Sequence, residues 1–283
     1  MNNKLIENIL DIAIHEDIGK EGDHTSIACI KKDTKGSAQL IIKEDGILAG
    51  VNVAKKIFEK IDSSLQISVF IEDGSKVHYG DVAFIVKGNV ISILQAERLV
   101  LNFMQRMSGI ATITNKYVEK IKDLPVKILD TRKTTPGLRI FEKEAIRLGG
   151  GYNHRFGLYD MILIKDNHID FAGGIDKAIN NVINYIKKNN LNLKIIIEAR
   201  NIDDVKEILR IGNVNRILLD NFTIDETRKA VELINGKFEV ESSGGITLDN
   251  IRDYALCGVN YISVGALTHQ IFSLDMSLKA IKE

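Results

Sequence analysis

Apolar residues recur at helical spacing where the chain begins. Leu5, Ile6, Ile9, Leu10 and Ala13 share one face, which predicts an amphipathic helix over residues 4–14. The polar stretch EDIGKEGDHTS that follows predicts a loop. Strand-like runs come next at Ala38–Ile42, Ile67–Phe70 and Val82–Val86, punctuated by Gly46, Gly50, Gly74, Gly80 and Gly88. A helical stretch at Val53–Ile61 splits them, so the first part of the chain reads as a small α+β domain. From Ile91 to Met107 the pattern is that of a long helix, and Gly109 is a natural stop for it. The first domain is therefore expected to span residues 1–110.

Beyond Ile110 the periodicity changes. Short apolar runs, KILD, MILIKD, KIIIEA, RILLDN, FEVESSGG and YISVGA, are separated by stretches long enough for a crossover helix. Helices are expected near Asp176–Lys187, Asp203–Leu209, Asp225–Leu233 and Asp249–Cys257, each opening on an acidic residue that favours the positive end of a helix dipole. Alternating strands and helices predict an α/β barrel over residues 111–269.

Composition narrows the function classes. The 283 residues are 45% hydrophobic, and 38 Lys and Arg balance 38 Asp and Glu, so no global charge draws the chain to nucleic acid or an anionic membrane. No apolar run approaches membrane-spanning length. The apolar residues at the start are interrupted by Glu7, Asn8, Asp11 and His15, unlike a signal peptide. Cys29 and Cys257 fit neither a disulfide scaffold nor a zinc or iron–sulfur spacing, and a reducing cytoplasm is the expected location.

Chemistry collects where the apolar runs end. Asp130-Thr131-Arg132-Lys133, Lys165-Asp166-Asn167-His168, Glu198, Asp220-Asn221, Ser243-Gly244-Gly245 and Gly265 each follow a predicted strand at once. In a parallel barrel such positions converge on the rim that carries active sites. Any one of them taken alone reads as a solubilised strand end; the set reads as a site. Arg132, Lys133, His154, Arg155, Lys165 and His168 suit a ligand with several acidic groups, since arginine matches carboxylate and phosphate with a planar fork and lysine supplies a point charge. Aromatic interleaving, which single-stranded nucleic acid would favour, is absent. Thr134-Thr135-Pro136-Gly137 shapes a loop beside this cluster, and Gly149-Gly150-Gly151 before Tyr152-Asn153-His154-Arg155 is either a linker or a point of close backbone approach. Ser243-Gly244-Gly245 ahead of a predicted helix, with Gly265-Ala266, looks like a backbone cradle for phosphate. Glu198 and Asp220 end consecutive strands, and such carboxylates can hold sugar hydroxyls, bind magnesium, stabilise positive charge or pair with arginine. On the preceding helix Arg98, Asn102 and Gln105 form a polar stripe that by itself reads as a solvated face. His15, His24 and His78 read as surface or packing residues.

Taken in order, HEDIGKEGDHTS, AERLVLNFMQRMSGIAT, ILDTRKTTPGLR, EKEAIRLGGGYNHRFGLYDMILIKDNHI, LLDNF, SSGGIT and ISVGALTH resemble the quinolinate phosphoribosyltransferases over essentially the whole chain. That resemblance implies an N-terminal open-sheet domain and an incomplete TIM-like barrel, with the segment 270–283 returning to the first domain. It also implies a homodimer, open to higher assembly, in which one subunit's N-terminal domain completes its partner's barrel site. Arg98 would then reach the neighbour's quinolinate, Arg132, Lys133, His154, Arg155 and Lys165 would line the anion pocket, and His168 would support it. Glu198 and Asp220 would face the ribose and the magnesium-bound pyrophosphate of phosphoribosyl pyrophosphate, while Ser243, Gly244, Gly245 and Gly265 would cradle the 5-phosphate.

By the same resemblance the reaction joins quinolinate to phosphoribosyl pyrophosphate with loss of carbon dioxide, giving nicotinate mononucleotide for NAD synthesis, with Lys133, Lys165, Glu198 and Asp220 as the catalytic set and no organic cofactor. The family commonly has a Glu two places before the one matching Glu198, and here that place is Ile196, which bears on how the metal is held. The competing readings are a related phosphoribosyltransferase using nicotinate or another acid, and a noncatalytic phosphate-binding barrel.

Overall fold

The computed structural model describes residues 3–282; residues 1, 2 and 283, assigned above to the first domain and its returning tail, lie outside the described residues. The chain opens with α1 (Asn3–Ile18), α2 (His24–Cys29), β1 (Lys35–Ile42), β2 (Gly46–Ile47), α3 (Val51–Ile61), β3 (Gln66–Val69), β4 (Lys76–Val77), β5 (Val82–Asn89) and α4 (Val90–Lys120). Then follow β6 (Lys127–Leu129), α5 (Arg139–Leu148), β7 (Ile162–Ile164), α6 (Asp166–Ala172), α7 (Ile175–Lys188), β8 (Ile195–Ala199) and α8 (Ile202–Ile211). The chain finishes with β9 (Arg216–Asp220), α9 (Ile224–Ile234), β10 (Glu239–Ser243), α10 (Ile251–Leu256), β11 (Tyr261–Ser263), α11 (Ala266–His269) and β12 (Met276–Ala280).

Two expectations near the start are corrected. The stretch EDIGKEGDHTS is not all loop: α1 runs on to Ile18, and α2 starts at His24. The reason for the second start is Asp23, whose carboxylate accepts from the Ser26 N–H at 3.0 Å and so satisfies a donor at the helix beginning. Gly109 likewise does not end α4, which continues to Lys120. Its missing side chain serves packing instead, because a Cβ there would overlap the Phe272 carbonyl oxygen. The returning segment is tied down on the same stretch of α4: Leu274 N–H donates to the Gln105 carbonyl and Gln105 Nε2 donates to the Met276 carbonyl, both at 3.0 Å.

The fold divides into two compact units. One holds the chain up to Asn115, Thr134–Gly150 and the chain from Leu267; the other holds Lys116–Lys133 and Gly151–Ala266. The first unit is built on an antiparallel sheet in the order β12-β1-β5-β3. Alternation along β1 buries Ala38, Leu40 and Ile42, and β12 completes the other edge of that strand with Leu40 opposite Leu278. Phe58 of α3 meets Phe84 of β5 edge to face, with ring centroids 6.0 Å apart.

The second unit is a parallel sheet in the order β6-β11-β10-β9-β8-β7, the incomplete α/β barrel that the sequence implies. Every residue of β8 is buried, as a parallel strand covered on both faces requires. The connecting helices start on strong caps: Asn201 accepts from the Asp203 and Asp204 N–H groups, and Thr223 and Glu226 form a capping box. Register sets which side chains share a face. Ile196 lies opposite Arg216, Glu198 opposite Leu218, Leu218 opposite Glu241, Asp220 opposite Ser243 and Glu241 opposite Tyr261. One face of the sheet therefore carries Ile196, Arg216 and Glu239 in one layer, Glu198 and Glu241 in the next, and Asp220 and Ser243 at the rim above them.

Candidate active site

The rim is assembled by short backbone devices at the strand ends. After β6, Asp130 N–H donates to the Tyr152 carbonyl at 3.1 Å and Tyr152 N–H donates to the Ile128 carbonyl at 2.8 Å, so residue 152 runs as a parallel bridge beside the strand. The fully buried Asp130 carboxylate then accepts from the His154 N–H at 2.8 Å. These bonds bring the segment carrying His154 and Arg155 to the end of the strand that leads into Arg132 and Lys133. Of the glycines ahead of that segment, Gly149 serves close approach, since a Cβ there would overlap the Ala111 carbonyl oxygen of α4.

Arg155 is buried and spends one Nη1 hydrogen bond on the Met161 carbonyl at 3.3 Å. Burial, then the charge of Arg132, pushes its pKa down, and Asp160 and Glu198 only partly offset this. Arg132 thus lies close enough for its charge to act on the buried Arg155 guanidinium. Asp160 also shapes the loop by accepting from Phe156 and Gly157 N–H at 2.7 and 2.8 Å.

On the opposite side of the sheet Lys165 caps α6. Its N–H donates to His168 Nδ1 at 2.9 Å, and its Nζ lies 3.1 Å from Glu198 Oε1. The other Glu198 oxygen accepts from the Asp166 N–H at 3.3 Å, so this nearly buried carboxylate is held at both ends. Asp220 is half-buried, and its Oδ2 accepts from Asn221 Nδ2 at 3.0 Å.

The helix expected near Asp249–Cys257 runs from Ile251 to Leu256, after a turn in which Asn250 accepts from Thr247 N–H at 2.8 Å and donates to the Gly245 carbonyl at 3.0 Å. Gly244 and Gly245 take successive left-handed conformations, φ +91° and +61°, and a Cβ on Gly244 would overlap the Asn221 amide. A turn of this kind offers an anion backbone N–H groups rather than a helix dipole. Gly265 stands directly before the single turn of α11.

All the basic and acidic rim residues named from sequence belong to the second compact unit, whereas Arg98 sits exposed on α4 in the first. Ile196 is buried one layer below Glu198, level with Arg216. From that layer Arg216 reaches Glu239 and Glu241 of β10 at 3.2 and 2.8 Å. Sequence reasoning missed this buried charge cluster. The signal was there in part, since Glu239 and Glu241 alternate with Val240 along one strand, but alternation reads as a solvent face until the register supplies Arg216.

A profile of the quinolinate phosphoribosyl transferase N-terminal domain matches residues 23–108, and that of the C-terminal domain of the same enzymes matches residues 110–279. The chain belongs to the quinolinate phosphoribosyltransferase family. A quinolinate phosphoribosyltransferase (decarboxylating) of Nicotiana glauca, mitochondrial by its name, is 44% identical over 97% of this chain and 82% of its own length. A probable nicotinate-nucleotide pyrophosphorylase (carboxylating) of Bacillus subtilis is 41% identical over 98% of this chain and 94% of its own. Among solved structures, NadC from Streptococcus pyogenes superposes with a TM-score of 0.93 at 36% identity, covering 100% of this chain and 99% of that one. The matched ranges thus extend over both compact units.

Proposed function

We propose that this member of the quinolinate phosphoribosyltransferase family transfers a phosphoribosyl group from phosphoribosyl pyrophosphate to quinolinate, releasing carbon dioxide and pyrophosphate and leaving nicotinate mononucleotide. The observation that carries the reading is the gathering of basic groups at one end of the sheet, Arg132 and the buried Arg155 at the end of β6 and Lys165 at the end of β7, the last 3.1 Å from the Glu198 carboxylate, which suits a small dianion.

In this reading Arg132 and Arg155 take the two carboxylates of quinolinate, and Lys133 and Lys165 orient the ring. The backbone of Ser243, Gly244, Gly245 and Gly265 holds the 5-phosphate. The bond from C1 of ribose to pyrophosphate breaks with its electron pair leaving on pyrophosphate, and Glu198 and Asp220 favour the positive charge left at C1. The pyridine nitrogen gives its lone pair to C1. Once quaternised, the ring accepts the electron pair left at C2 by departing carbon dioxide, and C2 then takes a proton from water.

Magnesium would arrive on the substrate pyrophosphate and lessen its charge as it leaves. Two strand-end carboxylates together with substrate phosphates make up the kind of oxygen set magnesium prefers. Glu198 and Asp220 are the candidates, with Asp220 better placed because Glu198 already pairs with Lys165. We assign no organic cofactor.

The enzyme is further read as a homodimer in which Arg98 serves the partner's site, and as cytoplasmic. The first reading is supported by an exposed arginine on α4 with no ion pair among the described residues, the second by two unpaired cysteines. No helix among the described residues is long and apolar enough to cross a membrane, and nucleic acid is not an expected partner.

The deciding experiment mixes purified protein with quinolinate, phosphoribosyl pyrophosphate and magnesium and follows nicotinate mononucleotide and carbon dioxide together, with nicotinate as the comparison acid. Equal release of both products from quinolinate, with none from nicotinate, is expected. Turnover of nicotinate would move the assignment to a sister transferase, and no turnover of either acid would sink it.

A further inference from the structure

Beneath the rim lies a buried acid that the mechanism above does not use. Glu241 is fully buried in β10, and its Oε2 accepts from Arg216 Nη1 at 2.8 Å. Its Oε1 has no shorter hydrogen bond among the described residues and points at His154 Nε2, 3.5 Å away. The other ring nitrogen of His154, Nδ1, accepts the Arg155 N–H at 2.7 Å, and the backbone N–H of His154 is held by Asp130 at 2.8 Å.

A nitrogen that accepts an N–H carries its lone pair there, so the ring proton must sit on Nε2. That is the nitrogen aimed at the unfilled carboxylate oxygen. A buried carboxylate oxygen left without a donor is costly, and Nε2–H is the donor the fold supplies. Burial alone would raise the Glu241 pKa, but His154 and Arg216 hold it below the ordinary carboxylate range. The acid is therefore an anion facing an N–H.

We infer that Glu241 is a positioning residue: it locks His154 in the Nε2–H tautomer, and through the Nδ1 bond to Arg155 N–H it fixes the backbone that aims the Arg155 guanidinium at the substrate acid. His154 then works as a strut between β10 and the anion pocket, which departs from its expected place among the cations lining that pocket. An orienting carboxylate behind a histidine does the same elsewhere in enzymes by setting which ring nitrogen bears the proton. The effect on quinolinate rests on the function proposed above; the tautomer does not.

Glu241→Gln isolates the effect. Arg216 is anchored independently, by Glu239 at 3.2 Å and by stacking 3.6 Å from the Tyr261 ring, whose hydroxyl donates to Glu239 at 2.9 Å. Arg216 offers only donors, so the glutamine oxygen must turn to it and the amide NH2 to His154. Donor then faces donor, and the ring must give up Nε2–H or move.

The test combines nitrogen-15 NMR of the histidine rings with steady-state kinetics. At neutral pH the wild-type His154 should show a protonated Nε2 and a bare Nδ1. Glu241→Gln should lose that signature and raise KM for quinolinate by about tenfold or more, as loss of an orienting partner does, with KM for phosphoribosyl pyrophosphate changed less than about twofold. A wild-type ring protonated on Nδ1, or a folded Glu241→Gln variant that keeps the quinolinate KM, would overturn the inference. Should the variant fail to fold, the wild-type spectrum still decides it. A protein that shows the tautomer but no quinolinate turnover would refute the substrate assignment alone.

Discussion

At the scale of single residues, the site depends on geometry that charge alone does not replace. Arg155→Lys keeps the positive charge but loses the planar fork and the bond to the Met161 carbonyl, so KM for quinolinate should rise by about ten- to a hundredfold while that for phosphoribosyl pyrophosphate holds. Parallel KM measurements with each substrate varied check this; an equal loss for both would argue against a quinolinate-specific role. Residues such as Arg155, Lys165, Glu198 and Asp220 were legible in the sequence because each follows an apolar run or a glycine cluster, where a parallel barrel exposes its strand ends. Glu241 and Arg216 were not, because they lie inside strands and acquire meaning only from each other across the β9–β10 register.

At the scale of elements, period and spacing located the strands of the parallel sheet to within three residues, while glycine misled where it served packing. Gly109 looked like a helix stop, yet it is where α4 and the C-terminal segment touch. Gly109→Ala should therefore cost about 1–3 kcal/mol by overpacking, measured by urea unfolding, with β12 the region whose amides lose protection from exchange. Helix α6 was hidden for a related reason: Lys165, Asp166, Asn167 and His168 read as rim polar residues, and they are at once rim and first helical turn, closed by His168 on the Lys165 N–H. The glycine pair after β10 carries its own consequence. Gly244→Ala puts a side chain at φ +91° against the Asn221 amide, so it should raise KM for phosphoribosyl pyrophosphate by about tenfold or more, an effect inorganic phosphate protection assays would mirror. An unaltered KM would mean the 5-phosphate binds elsewhere.

At the scale of the whole molecule, two properties follow that no single element sets. The first is the response to acid. Glu7, Asp23, Asp62, Asp123 and Glu226 are all held below their ordinary pKa, Asp123 down to about 2 chiefly by its hydrogen bond to Arg252. A depressed carboxylate contributes stability above its unfolded pKa, near about 4, and loses that contribution as pH falls through the folded value. Asp73 works the other way, because burial raises its pKa and protonation relieves it. The depressed groups outnumber it, so the melting temperature should stay level near neutrality and fall below about pH 4.5, and Asp123→Asn should flatten part of that fall; a melting temperature that rises on acidification would contradict the assignment. The second is the subunit sharing proposed above. Arg98 and Lys165 belong to different compact units, and the proposed dimer joins Arg98 of one chain to the rim of the other. Arg98→Ala and Lys165→Ala should each be nearly inactive alone. In a mixed dimer, however, one site carries both defects and the other carries neither. Random exchange makes half the dimers mixed, so equal mixing of the two variants should restore about a quarter of wild-type activity. If instead each chain supplied its own Arg98, every site in the mixture would keep one defect, and mixing would restore nothing.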